Sequence, residues 1–263
     1  GVPRFDEKYE SESYLLMGQQ LSDRLYRRTD SLARQADKTF RPMVEGSFSK
    51  IVRRGNSPKN YYWEVTAKDG TTYCYGGCNG QVSDETTLTD SRGNRIKWVL
   101  QRITDVHGNF AAFHYTKTGN NLYPTKYTYT GYGSEEGLYS IEFDVDSTGS
   151  FRKDVVKNGR LGILQTDKAL LKRVTVKNNG RQLRAYLMNY ASGVFGKTML
   201  TGITELDSKS DTVDKHKFDY YQDVTGPSNL FSKDAVVYTA GQEDYGRLVK
   251  SVAGNFTQAL SLL

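Results

Sequence analysis

The chain has 263 residues, with 25 Gly and 19 Tyr against 5 Pro and 4 Met; its 37% apolar content is low for a helical bundle and suits strands whose outer faces are wet. The 36 basic and 30 acidic residues leave a net charge of +6, but neither sign gathers into a long block, which argues against a nucleic-acid-binding stripe. No stretch reaches the roughly 18 consecutive apolar residues of a membrane helix, so no membrane insertion is expected, and the length allows one large β domain.

Gly1-Val2-Pro3 opens the chain without an initiator Met and reads as the start of an excised segment whose targeting signal is missing. Between residues 20 and 37 the pattern is ambiguous: Leu21, Leu25, Leu32 and Ala36 recur at roughly helical spacing, so a short helix is one reading. The densest basic run, Arg24, Arg27, Arg28 and Arg34, reads as an exposed face or a charged strand edge. Residues 40 to 53 form the first strand candidate.

Residues 61 to 68 and 71 to 76 are mostly β-branched or aromatic, and Asp69-Gly70 between them is the preferred pair for a two-residue type I′ turn. That turn pairs Lys68 with Thr71, Val65 with Cys74 and Trp63 with Gly76. Trp63, Val65, Ala67 and Cys74 would then share one face, and Tyr62, Tyr73 and Tyr75 the other. Cys74 and Cys78 can close a small ring worth about 2 kcal/mol on the chain-entropy formula, or they can remain thiols; their spacing does not choose.

Downstream, Leu-x-x-Ile/Val-Thr occurs at residues 100 to 104, 171 to 175 and 200 to 204. Each is followed by a turn and then a strand rich in Tyr or Phe: residues 110 to 115, 183 to 190 and 218 to 221. Leu and Ile three apart face opposite sides of a regular strand. Either a bulge intervenes or both faces are partly buried. Residues 126 to 129 and 139 to 145 are further strands, and Thr225-Gly226-Pro227-Ser228-Asn229 marks a linker.

Motifs that carry chemistry are scarce. Two cysteines and the scattered His107, His114 and His216 do not make a zinc set. Asp144-Val145-Asp146-Ser147-Thr148-Gly149 imitates a calcium loop, but Val155 stands where the bidentate Glu is needed, so a plain turn is expected. Gly131, Gly133 and Gly137 do not form a dinucleotide fingerprint. His107 reads as a turn residue and His114 as a sheet-face residue, and Glu135-Glu136 has no readable carboxyl separation. Neither catalytic residues nor cofactors are expected. Trp63 and Trp98 are candidates for an aromatic glycan- or protein-binding face, although such rings more often serve cross-strand packing.

Several segments, in order, carry a resemblance: "FRPMVEGSFSKIVRR", "YYWEVTAKDGTTYCYG", "IKWVLQRITDVHGNFAAFHY", "LLKRVTVKNNGRQLRAYLMNY" and "MLTGITELDSK". They resemble the SpvB-like amino-terminal region of bacterial toxin proteins, which include the B component of Tc insecticidal toxin complexes and related RHS/YD-repeat proteins. The likeness runs over about residues 2 to 222. The tail "VKSVAGNFTQALSLL" is similar to the entry into an FG-GAP-type β-propeller, so residues 1 to 223 are expected to form the β domain and 224 to 263 a linker and the start of the next module. The resemblance implies an all-β fold of long antiparallel strands and hairpins in a curved or layered sheet, part of a shell that encloses a toxic polypeptide. It also implies export to the cell surface or medium, and partners among the remaining segments of the same protein and other toxin-complex proteins. Self-association through open strand edges is expected of the isolated piece. The family's ADP-ribosyltransferase and self-cleaving aspartyl motifs belong to other segments and find no match here, so a non-enzymatic role follows.

Overall fold

The computed structural model describes residues 4–6, 10, 12–22, 34 and 37–220. Its strands are β1 (Leu15–Leu16), β2 (Gln19–Ser22), β3 (Lys38–Pro42), β4 (Lys50–Arg54), β5 (Tyr62–Thr66), β6 (Thr72–Tyr75), β7 (Gly77–Cys78), β8 (Gln81–Val82), β9 (Thr87–Thr89) and β10 (Arg95–Trp98). They continue with β11 (Leu100–Thr104), β12 (Asn109–Thr118), β13 (Asn121–Tyr132), β14 (Tyr139–Asp146), β15 (Val156–Asn158), β16 (Gln165–Asp167), β17 (Leu170–Asn178), β18 (Arg181–Ser192), β19 (Thr198–Leu206) and β20 (Thr212–Lys217). Fourteen of them form one open antiparallel sheet in the order β1-β2-β3-β4-β5-β6-β11-β12-β13-β14-β17-β18-β19-β20. The path is a meander with two excursions: β7 to β10 leave the sheet between β6 and β11, and β15-β16 between β14 and β17. The fold is all-β, as the composition and strand pattern led one to expect.

Every one of the three Leu-x-x-Ile/Val-Thr segments contains a bulge at the residue after Leu. Leu100 and Arg102 oppose the adjacent residues Tyr75 and Cys74, Leu171 and Arg173 oppose Val145 and Asp144, and Leu200 and Gly202 oppose Tyr190 and Asn189. Gln101, Lys172 and Thr201 are thus the extra residues. Two residues standing against one make a spacing of three behave as a spacing of two, so Leu and Ile or Val reach the same face. The bulge alternative is the one the fold adopts.

Three of the tight turns share another device. Asp90 and Asp105 each accept hydrogen bonds at 2.8 Å from the backbone N–H groups two and four residues on, and Gly93 and Gly108 complete the turns at φ of +84° and +86°. Asp207 repeats the pattern towards Lys209 and Asp211. Asp supplies the acceptor and the fourth residue the left-handed backbone, which is why these hairpins turn where they do.

The first strands roll up. Tyr14, just before β1, has its ring 4.8 Å from that of Trp63 on β5; in a flat sheet β1 and β5 would lie about 19 Å apart. The sheet therefore curls back on itself and encloses Tyr14, Leu21, Phe40, Ile51, Trp63 and Val65 as its core, with Leu16, Tyr73, Tyr75 and Trp98 packed against them. Buried ion pairs fasten the curl: Glu10 meets Arg53 and Lys38 at 2.6 Å each, and Glu12 meets Arg34 at 2.5 Å.

Several expectations need correction. Residues 40 to 53 are two strands, β3 and β4, joined by a loop, because Gly46 and the left-handed Phe48 (φ 52°) break the run. Gln20, Leu21 and Ser22 lie in β2, so the helix reading fails at its start; residues 23–33, 35 and 36 lie outside the described residues. Arg34 is no exposed edge residue: its side chain is 7% exposed in the pair with Glu12. Arg24, Arg27 and Arg28 lie outside the described residues, as do Tyr221 and the whole of 224–263. The last strand ends at Lys217, before Phe218, because the Asp207 turn closes after Asp211 and starts the strand at Thr212.

Candidate functional site

The hairpin of β5 and β6 is present, but its register differs by one residue from a two-residue turn. Trp63 pairs with Tyr75, Glu64 with Cys74, Val65 with Tyr73 and Thr66 with Thr72. The Ala67 N–H donates to the Thr71 carbonyl at 2.9 Å, and the Gly70 N–H to the Ala67 carbonyl at 3.0 Å. The loop is therefore Lys68-Asp69-Gly70, a three-residue turn in which Gly70 alone is left-handed, at φ +85°. Asp69 caps it by accepting from the Thr71 N–H at 2.9 Å. A one-residue slip exchanges the faces: Trp63, Val65, Tyr73 and Tyr75 lie together, and Cys74 stands on the opposite face beside Glu64.

Trp63 is 6% exposed and meets Tyr14, Phe40 and Trp98 at ring distances of 4.8, 5.2 and 6.0 Å. Trp98 donates its indole N–H to the Tyr61 carbonyl at 2.6 Å. Both rings are thus held by packing in the roll, where burial also pushes the Tyr14 hydroxyl well above its ordinary value. A cleft of about 650 Å³ opens beside them, lined among others by Leu16, Trp63, Ile96, Trp98 and Leu161.

Cys74 and Cys78 are joined as a disulfide, with Cα atoms 5.4 Å apart. The ring they close contains Gly76 (φ +70°) and Gly77, over which Trp98 and Tyr62 pack so closely that an added Cβ would come within 2.2 and 2.8 Å of them. Glycine is required there for close approach as well as for backbone freedom.

His107 occupies the Asp105 turn, as its sequence context suggested. His114 on β12 meets Glu136 at 2.8 Å, and the second oxygen of Glu136 accepts from Thr128 at 3.0 Å, so that the turn after β13 is tied to the sheet. Sequence reasoning had His114 and Glu136 separately and could not join them. Asp146 accepts from the Thr148 N–H and from the Thr148 and Ser150 hydroxyls; those bonds, foremost from Thr148, hold it down to about 2. Its oxygens face protein donors in a turn, the plain reading of that motif. Among the described residues no three His, Cys, Asp or Glu side chains converge as a metal set.

Beyond the roll the same sheet continues with two unlike faces. On one, Phe113 opposes Tyr127, Phe143 opposes Val174, and Met188 opposes Ile203, with the Phe113, Tyr127 and Phe143 rings 4.7 to 4.8 Å apart. These six side chains are neither buried nor fully exposed. The other face carries hydroxyls and charge: Thr128 beside Ser140, and Lys177 paired with Glu142 at 2.5 Å.

A family model described as Salmonella virulence plasmid 65kDa B protein, SpvB, matches residues 1–133. No curated protein sequence matches the chain. Among solved structures, the N-terminal domain of effector protein SpvB from Salmonella typhimurium strain LT2 aligns with a TM-score of 0.64 at 15% identity, covering 79% of this chain and 83% of that one. TcdB2-TccC3 without its hypervariable C-terminal region aligns with a TM-score of 0.62 at 13% identity, over 81% of this chain and 13% of that one. The Tc holotoxin pore of Photorhabdus luminescens gives 0.65 at 14% identity, over 84% and 13%. At these identities the likeness is one of fold, and the chain spans a small part of the Tc chains.

Proposed function

The chain belongs to the SpvB family, and from that premise we propose that it is a non-enzymatic structural segment of an exported bacterial toxin-complex protein, one stretch of a β wall that encloses or scaffolds a toxin. Residues 1 to 223 form the wall domain in this reading, and 224 to 263 lead to a following module. Its partners are other segments of the same protein and other toxin-complex polypeptides. The observation that carries the reading is the sheet itself: among the described residues, fourteen strands in an open, sequential meander with aromatic and aliphatic side chains along one face. Such a layer extends by adding strands, and it offers a surface for lining or docking. The two Tc structures support the reading by fold, since each contains this domain as 13% of a longer chain.

A glycan- or protein-binding module using Trp63 and Trp98 is less well supported, because Trp63 lies inside the roll. The deciding experiment is assembly. Co-expressed with the other toxin-complex polypeptides encoded beside it, the chain is expected to co-purify in a particle that shields an enclosed polypeptide from added protease. A particle that forms and protects equally well without this chain would contradict the proposal.

A further inference from the structure

The cleft beside Trp63 and Trp98 is assembled from parts of the chain that are distant in sequence. The N-terminal segment contributes Phe5 and Leu16, β5 contributes Trp63, the β9–β10 excursion contributes Ile96 and Trp98, and Leu161 comes from the turn between β15 and β16. The fold itself holds these walls in place. The indole N–H of Trp98 is bonded to the Tyr61 carbonyl, and the Gly162 N–H closes the Leu161 turn onto the Gly159 carbonyl at 3.0 Å. The β15–β16 hairpin is tied to β13, where the Asn121 side chain donates to the Thr166 carbonyl at 2.8 Å and the Tyr123 hydroxyl to Asp167 at 3.0 Å. A packed interior leaves few voids larger than a water molecule. This one, at about 650 Å³, falls in the range of about 300–1,000 Å³ of small-molecule sites. Its charge is one-sided: Arg4, Arg95 and Lys97 line it together with one acid, Glu12. Glu12 is taken up by Arg34 at 2.5 Å, and the Arg95 guanidinium by Asp84 at 2.7 Å and the Lys59 carbonyl at 2.8 Å. Arg4 and Lys97 are exposed and have no ion-pair partner among the described residues.

We propose that this cleft binds an apolar monoanion, a medium-chain alkyl carboxylate, with its hydrocarbon against Leu16, Ile96, Trp98 and Leu161 and its carboxylate met by Lys97 and Arg4. An apolar cleft with unpaired cations among its lining residues is complementary to a ligand that is apolar along its body and negative at one end. The hydrocarbon supplies affinity in proportion to the area it removes from water. The exposed cations choose the sign of the head group with modest strength, so that this selectivity fades as salt rises. The site is independent of the shell reading, and it is tested on the chain alone.

The probe is dodecanoate, titrated into the full 263-residue chain at low salt while tryptophan emission is read, because both tryptophans of the chain line the cleft. Saturable binding is expected, with the far-ultraviolet circular dichroism unchanged. Dodecan-1-ol and dodecyltrimethylammonium share the hydrocarbon but not the negative end, and are expected to bind roughly fivefold more weakly, with the gap narrowing at high salt. Lys97→Glu, at an exposed position, is expected to weaken dodecanoate by roughly fivefold. Leu161→Ala, in a turn outside the fourteen-stranded sheet, is expected to weaken it by roughly threefold, and Lys177→Gln, on β17, by less than about twofold. A diazirine-bearing dodecanoate, used on the wild-type chain and therefore independent of how the variants fold, should crosslink to Leu161 and to residues 96–98. No saturable binding, equal affinity for the alcohol and the carboxylate at low salt, full affinity in Lys97→Glu, or crosslinks confined to β12–β14 and β17–β19 would overturn the proposal. So would an emission change that accompanies loss of the circular dichroism signal, because dodecanoate would then be acting as a detergent.

Discussion

The roll of β1 to β6 and the open layer of β12 to β20 are built from the same alternation of apolar and polar residues, yet their side chains end in different environments. In the roll, Ile51, Trp63 and Val65 are 1%, 6% and 8% exposed, whereas in the layer Phe143, Val174 and Ile203 are only partly buried. The difference is not in the strands. It comes from the cover: curling brings Tyr14 and Leu21 over the first strands, and the excursion through β9 and β10 brings in Trp98. Burial in such a sheet is thus a property of what is laid on it, and strand pattern alone shows only which face is ready to be covered.

Substitutions can break or sharpen that contrast. The largest expected effect is Trp63→Ala, at about 3–5 kcal/mol for a buried aromatic, against about 1 kcal/mol for Phe143→Ala, where less area leaves water; urea unfolding of both variants measures the gap. Glycines give a second pairing at similar backbone angles. Gly76 (φ +70°) would put a Cβ 2.2 Å from the Trp98 ring, while Gly180 (φ +76°) has nothing within 4 Å. Gly76→Ala is therefore expected to cost about 3 kcal/mol from overpacking plus backbone strain, and Gly180→Ala about 1 kcal/mol from strain alone, read as midpoint shifts in the same assay.

Acid should loosen the roll before the layer. Burial alone would raise Glu10, but the hydrogen bonds from Arg53 and Lys38 outweigh it and hold its carboxyl below the ordinary value of 4.5. A depressed folded value means that the stabilisation is present above about 4.5 and is lost as pH falls through the folded value. Both tryptophans of the chain, Trp63 and Trp98, sit in the roll. Their emission should therefore shift on acidification below about pH 4.5, ahead of the far-ultraviolet strand signal. Coincident transitions would show that the Glu10 pairs do not govern the roll separately.

Much of this was legible in the chain. The strands at 100 to 104, 110 to 115, 139 to 145 and 171 to 175 lie where β-branched and aromatic residues collect between turn residues. The Asp69-Gly70 hairpin was legible in place but not in register, because Asp-Gly suits both a two-residue turn and the end of a three-residue one, and the choice reverses the faces of Tyr73 and Cys74. Asp-x-x-Gly-Asn occurs at residues 90 to 94 as well as 105 to 109 and was a usable turn signal for the β9–β10 excursion. The contact of Tyr14 with Trp63, and of His114 with Glu136, had no local signal, since each depends on how the sheet curls or where a turn folds over it.

Hydroxyl-radical footprinting of the free chain, with rates normalised to each side chain's intrinsic reactivity, tests the central claim most directly. The account predicts that Tyr14 and Trp63 are protected while Tyr127, Phe143 and Met188 are modified readily. Equal protection of the two groups would mean that the second face is already covered, and would contradict the division into a closed roll and an open wall.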